Sequence, residues 1–320
     1  MTAYLAKHAE QVRLAAERIG AHIRRTPVLV SDLDPDLRLK PECFQVTGSF
    51  KPRGAFNGVL SLMESGERPK GVIAVSSGNH AQAVALAAAT VGLPALILIP
   101  EDANPAKVAA TRALGAEVIQ EGITFANRER RLREVMAERG YVLVHPFDDW
   151  DVIHGQGTVA RELLDDEPGL EVIAASLGGG GLLAGTAISA KNHSATVKVV
   201  GVEPEAADDA YRTWKAGSIQ TLAASPKTLA DGVRTTAIGG RNFEVMFVNG
   251  LVDEVVTVSE DEIATAVQVA WSRLHLALEP TGALPLAAYL SGKLPKGRIG
   301  LILSGGNANL QTVATLLGTN

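Results

Sequence analysis

The sequence predicts an α/β protein of doubly wound type, and three features of its patterning point there. Seven short apolar runs, at 71–76, 95–100, 117–120, 141–145, 171–177, 197–203 and 299–304, alternate with segments long enough for helices. Runs that are apolar on both faces and separated by helices are what parallel strands covered on both sides require. Three of the runs end in a loop of small residues that leads into a helix: Ser76, Ser77, Gly78, Asn79 and His80; Gly178, Gly179, Gly180 and Gly181; and Ser304, Gly305, Gly306 and Asn307. Taken in order, run 71–76 feeds an Ala-rich helical segment that Gly92, Leu93 and Pro94 terminate before run 95–100. Runs 117–120 and 141–145 bracket a charged stretch at 128–134, whose i,i+4 pairs mark a solvated helix face. Runs 171–177 and 197–203 flank the helix opened by the four glycines, and run 299–304 leads into the last small-residue loop.

The 320 residues are 46% hydrophobic and 20% charged, which excludes disorder and, at about 100–200 residues per domain, predicts two packed domains. Thirty Lys plus Arg against 35 Asp plus Glu leave a net charge of −5 with the signs interspersed, so no basic face is offered to nucleic acid. Segment 71–100 carries no Lys, Arg, Asp or Glu, but the Gly92 to Pro94 break leaves pieces too short to cross a membrane. Lys7, Glu10 and Arg13 interrupt any apolar core of an export signal, and the single Cys43 excludes an internal disulfide; both predict a cytoplasmic protein. There are no repeats or low-complexity tracts, and 146–151 is the candidate crossing point between domains.

Ligands of open parallel sheets bind outside the carboxyl ends of the strands, where amides at a helix start hold anions. Gly178, Gly179, Gly180 and Gly181 are therefore the candidate phosphate cradle; a merely flexible turn is the alternative, and four glycines in a row cost conformational entropy unless the backbone must be approached. Gly179 to Ala184 also fits G-x-G-x-x-A, with Glu203 ending the next strand about twenty residues on, so an NAD-linked oxidoreductase competes. A Walker loop is absent from the sequence. Lys51 follows Thr47, Gly48, Ser49 and Phe50; on its own it reads as a solvated helix lysine, and the alternative is a lysine that attacks an aldehyde after losing its proton, which desolvation or a nearby cation such as Arg53 promotes.

The block from Lys40 to Ala55 closely resembles the lysine motif of the fold-type II pyridoxal-phosphate enzymes, in the branch of threonine and serine dehydratases and serine racemase. Lys40, Glu42, Gln45 and the run 47–55 match it. The Ser-Ser-Gly-Asn-His loop, the glycine tetrad, Asp231 to Val233, Glu279 to Thr281 and the Ser-Gly-Gly-Asn loop follow in the family's order. The resemblance implies two open, twisted, mainly parallel sheets with helices on both faces, like the tryptophan synthase β fold. A large domain would comprise 1–65 plus 149–320, around a small domain at 66–148, and the chain would form a homodimer.

By the same resemblance Lys51 would form the Schiff base with pyridoxal 5'-phosphate, with Phe50 beside the ring and Asn79 on its hydroxyl. Gly178, Gly179, Gly180 and Gly181 would take the phosphate, and Ser304 would face the ring nitrogen. Ser76, Ser77, Asn79 and His80 would hold the substrate carboxylate, Arg128 would help bind substrate, and Ser77 would be the second catalytic group in a racemase. Spacing alone reads Asn79 as a helix cap and the 203–209 carboxylates as an acidic helix start. The resemblance instead makes Glu203, the Ala207 carbonyl and Asp209 ligands of Mg²⁺ or another divalent cation. The implied reaction is β-elimination from L-threonine or L-serine, giving a 2-oxo acid and ammonia. Serine racemase and threo-3-hydroxyaspartate ammonia-lyase are the alternatives. Phe147, standing where racemases carry an asparagine, favours elimination; Trp150 and His154 depart from the family pattern and point to a shifted substrate preference.

Overall fold

A computed structural model describes residues 2–66, 69–103, 105–124 and 126–318. Thr2 caps the first helix, α1 (Ala3–Ile19), by accepting the Leu5 N–H, and Leu5, His8, Val12, Ala15 and Ile19 recur at helical spacing to bury one face. The strands are β1 (Leu29–Ser31), β2 (Asp34–Pro41), β3 (Val72–Val75), β4 (Ala95–Leu98), β5 (Glu117–Ile119), β6 (Val142–Leu143), β7 (Val172–Ser176), β8 (Lys198–Pro204), β9 (Glu254–Val258) and β10 (Ile299–Leu303). Between them run α2 (Lys51–Glu64), α3 (Asn79–Thr90), α4 (Pro105–Ala113), α5 (Arg128–Arg139), α6 (Trp150–Asp166), α7 (Gly181–His193), α8 (Asp209–Ala216), α9 (Gly240–Phe243), α10 (Glu260–Ser272) and α11 (Pro280–Leu290), with α12 (Leu310–Leu316) last.

The ten strands among the described residues form two sheets, ordered β1-β2-β10-β7-β8-β9 and β5-β4-β3-β6, parallel throughout except for the β1–β2 pair. Alternation of side chains explains the layers. In the larger sheet Ile173 and Ala175 join a core with α1, α6 and α7, while Val172 and Ala174 join one with α10 and α11. In the smaller sheet Val72 and Ala74 pack toward α3, and Ile73 packs with α5. All seven apolar runs contain strands; β1, β2 and β9 were not among them. Among the described residues no helix is long and apolar enough to cross a membrane.

Trp150 and His154, the two departures from the family pattern, lie in the first turns of α6. Their rings pack under α1: His154 Nε2 lies 2.9 Å from His8 Nδ1, and Trp150 stacks on the His154 ring and lies tilted against that of His8. Burial first, then the neighbouring His8, Lys7 and Arg18, push His154 down to about 3, and burial also lowers His8. A base whose folded pKa lies below its unfolded value contributes stability above pH 6.5, lost as pH falls from 6.5 toward 3. The stability advantage of wild type over H154Q, from urea unfolding at each pH, should therefore shrink by about 1.4 kcal/mol per unit between pH 6 and 4. A pH-independent difference would show that His154 binds protons normally in the folded chain.

Candidate active site

The carboxyl edges of both parallel sheets meet at the start of α2, and each small-residue loop of the sequence lies there. Thr47 (φ 59°) and Gly48 (φ 73°) turn the chain sharply just before Lys51; a left-handed β-branched residue is a strained one. The turn is clamped from the β10 side: Gly306 N–H donates to Gly48 O, Phe50 N–H to the Ser304 carbonyl (3.0 Å), and Asn307 Nδ2 to Thr47 O (2.6 Å). Lys51 Nζ then lies 5.0 Å from the Phe50 ring centre and donates to the Pro146 carbonyl at 2.9 Å.

Desolvation lowers Lys51 to about 8, with Glu279 pulling the other way. Arg53 is not the cause. Its guanidinium points into a separate buried cluster, where it donates to Glu42 and Glu162 at 2.7–2.9 Å. A helix places residues two apart on different faces, so the cation expected beside the amine lies elsewhere.

The four glycines are demanded by packing rather than being a loose turn. A Cβ on Gly179 would sit 2.3 Å from the Phe147 ring; on Gly180, which has φ +100°, 2.7 Å from Asn242 Cβ; and on Gly178, 3.0 Å from Val233 Cα. The Gly179 carbonyl is taken by Asn242 Nδ2 (2.7 Å) and Gly239 N–H (3.0 Å). Among the described residues the amides of Gly178, Gly179 and Gly180 donate to no protein acceptor. With the first turn of α7 from Gly181, they form a set of orphan donors that fits a phosphate. Ser304 is buried, its Oγ 3.4 Å from Ser176 Oγ, which donates to the Thr281 carbonyl.

Asn79 opens α3 but caps nothing; Gly78 is the N-cap. Its amide instead donates to Glu279 Oε1 (2.7 Å) and accepts from Asn307 Nδ2 (2.8 Å), tying the β3 loop to the β10 loop and α11. Burial lifts Glu279 to about 7, Asp231 adding to the rise while Asn79 and Lys107 oppose it. Ser76 Oγ accepts the Gly78 N–H, and Ser77 is exposed. The His80 imidazole is buried, its Nε2 bonds the Val144 carbonyl at 2.8 Å, and burial first, then Lys51, pushes it down to about 3. His80 can serve a carboxylate through its backbone N–H in the first turn of α3. Arg128 begins α5, half-buried beside Glu129, on the same carboxyl edge. Cys43 is half-buried, its thiol pushed up to about 11, which leaves it no nucleophile.

Sequence reading assigned no role to Glu279, although its Glu-Pro-Thr motif was visible, and passed over Asn242, whose type and setting carry no signal. Elsewhere, Glu203 and Asp209 are buried at the end of β8 and start of α8; Glu203 Oε1 accepts the Tyr211 N–H, and Asp209 Oδ2 has no partner among the described residues. Burial raises Glu203 well above the usual carboxylate range and Asp209 to about 7. No group of three or more His, Cys, Asp or Glu among the described residues is arranged to hold a metal.

The family model described as "Pyridoxal-phosphate dependent enzyme" matches residues 19–305. An L-threo-3-hydroxyaspartate ammonia-lyase of Saccharomyces cerevisiae is 43% identical over 310 residues, covering 95% of this chain and 94% of that one. A serine racemase of Schizosaccharomyces pombe is 39% identical, covering 96% of each. Among solved structures, a threonine deaminase from T.th. is 48% identical with a TM-score of 0.88, covering 94% of this chain and 98% of that one.

Proposed function

The chain belongs to the pyridoxal-phosphate dependent enzyme family, and we propose that it catalyses β-elimination from a 3-hydroxy amino acid, with L-threo-3-hydroxyaspartate ahead of L-threonine and L-serine. The observation that carries this reading is the pair of anion-holding positions on the carboxyl edge of the smaller sheet. The start of α3, with Ser76 and Ser77, suits an α-carboxylate, and the Arg128 guanidinium at the start of α5 suits a second one.

The orphan amides of the glycine loop and the enclosed amine of Lys51 fit the cofactor's phosphate and aldehyde. Bound there, pyridoxal phosphate supplies an aldehyde for the substrate amine and a conjugated ring that stabilises the electron pair left at Cα. Lys51, once its amine is free and neutral, takes the Cα proton; desolvation makes that neutral form accessible near pH 8. Asn79, held by Glu279 and Asn307, and Ser304 would orient the ring by hydrogen bonds. Water is needed only after loss of the β-hydroxyl, when hydrolysis releases the 2-oxo acid and ammonia. Racemisation is the second reading, favoured by the exposed hydroxyl of Ser77, which would act as the second proton-transfer group.

Oxo-acid formation from L-threo-3-hydroxyaspartate, L-threonine and L-serine, assayed beside D-serine formation, tests the proposal. R128M should lower kcat/KM for hydroxyaspartate at least about 10²-fold, the loss expected when a charged pair goes unmade, and change the threonine value less than about threefold. Preference for threonine with R128M indifferent would return the enzyme to the dehydratases. D-serine accumulating faster than pyruvate would make it a racemase.

We also propose a divalent cation, Mg²⁺ first, on Glu203, the Ala207 carbonyl and Asp209, supported by two buried carboxylates and the orphaned Asp209 Oδ2. Mg²⁺ at millimolar concentration should raise Tm, and D209A should abolish that response. No change in wild-type Tm would leave these residues a plain acidic helix start.

A further inference from the structure

We propose that Lys107 and Asp231 form a clasp between the two walls of the site, which must part to admit substrate and re-form to retain it. Lys107 Nζ donates to Asp231 Oδ2 at 2.7 Å, joining residues 124 apart in sequence. Lys107 lies in the first turn of α4, which follows β4, so it projects from the carboxyl edge of the smaller sheet, beside the Ser76 to Asn79 loop and the start of α5. Asp231 opens the short 3₁₀ turn Asp231–Val233 that packs on α11 beside the larger sheet.

That turn is no bystander to the site. Gly232 N–H donates to Thr281 Oγ1 at 2.9 Å, in the first turn of α11 behind Glu279. Val233 closes over Gly178 so tightly that a Cβ there would meet its Cα at 3.0 Å. One end of the ion pair thus sits on the wall of the glycine cradle and the other on the unit carrying the carboxylate-binding loop. Two further ties between these walls, Asn79 to Glu279 and Asn307 to Asn79, lie deeper and pair amides with a carboxylate or with each other.

Both clasp residues keep contact with water, Lys107 with 22% and Asp231 with 50% of the side chain exposed. An ion pair of that kind biases an equilibrium by only about two- to fivefold and is weakened by salt. A bias of this size suits a gate: strong enough to favour closure, weak enough to open in every turnover. The inference rests on the site being the catalytic one, as proposed above.

The experiment compares holoenzyme of wild type, K107M, D231N and the charge-swapped K107D/D231K. It measures amide hydrogen exchange in the 76–80 loop and, on whichever hydroxy amino acid turns over, KM and kcat. Each single variant should speed exchange in that loop severalfold and raise KM about two- to fivefold at low salt, with kcat within about twofold. The swapped pair should restore both, and 1 M salt should bring wild type to the level of the single variants. Unchanged exchange in K107M and D231N, or a swapped variant whose defects add instead of cancelling, would overturn the clasp. If no hydroxy amino acid reacts, the proposed reaction fails while the exchange measurements still decide on the clasp.

Discussion

Replacing Lys51 by Ala or by Arg is expected to leave a folded protein whose turnover falls at least about 10³-fold, because in the proposed reaction one side chain supplies both the covalent amine and the proton acceptor. The two variants separate charge from nucleophilicity: Arg keeps a cation at the site but stays protonated. With its pKa lowered from 10.5 to about 8 by desolvation, the Lys51 amine reaches its neutral form more readily than an exposed lysine. That gain comes from burial, so it should survive changes at Arg53 that spare the fold. Borohydride reduction of the cofactor-loaded protein followed by peptide mapping should label the peptide containing Lys51 in wild type and leave it unlabelled in both variants. Full turnover in Lys51→Arg would remove the amine from the chemistry altogether.

Most of the fold was legible because its central strands are apolar on both faces, and such runs advertise themselves. The strands that were missed had a physical reason to hide. In β2, Asp34, Asp36, Arg38 and Lys40 alternate with other residues and read as a solvated stretch, yet Arg38 and Lys40 are buried. Their compensation lies in Glu167 and Glu162, 129 and 122 residues away, at 2.8 and 2.7 Å. The site followed the same rule. Glycine and serine loops after strands announce a candidate anion cradle locally, and Lys51 stands out through its motif. The Asn79–Glu279 and Asn307–Asn79 bonds, which overrule the reading of Asn79 as a helix cap, span 200 and 228 residues and leave no local trace. His80 is alike in this: its imidazole is buried with Nε2 on the Val144 carbonyl, 64 residues away.

Arg53, two residues from Lys51, should behave in the opposite way, with R53M costing about 3–5 kcal/mol of stability. The guanidinium is fully buried and forks between two carboxylates, with Nε and Nη2 on Glu42, Nη1 and Nη2 on Glu162, and a further bond to Thr158 Oγ1 at 3.1 Å. Lys40 adds a second bond to Glu162 at 2.7 Å, and Thr26 Oγ1 donates to Glu42. Two cations and two anions thus balance in an interior that could not hold either sign alone. Removing Arg53 leaves Glu42 with Thr26 as its remaining side-chain donor among the described residues, and the penalty is that of an uncompensated buried charge rather than of lost apolar packing. R53K keeps the charge but not the fork and should recover only part of the loss. The cluster also fixes how α2 meets α6, since a Cβ on Gly155 would fall 2.4 Å from the Arg53 carbonyl. Urea unfolding should accordingly show R53M much less stable than wild type but still active when folded in the cold, and Lys51→Ala as stable as wild type but inactive. An R53M protein with wild-type stability would mean that this network contributes nothing net to the fold.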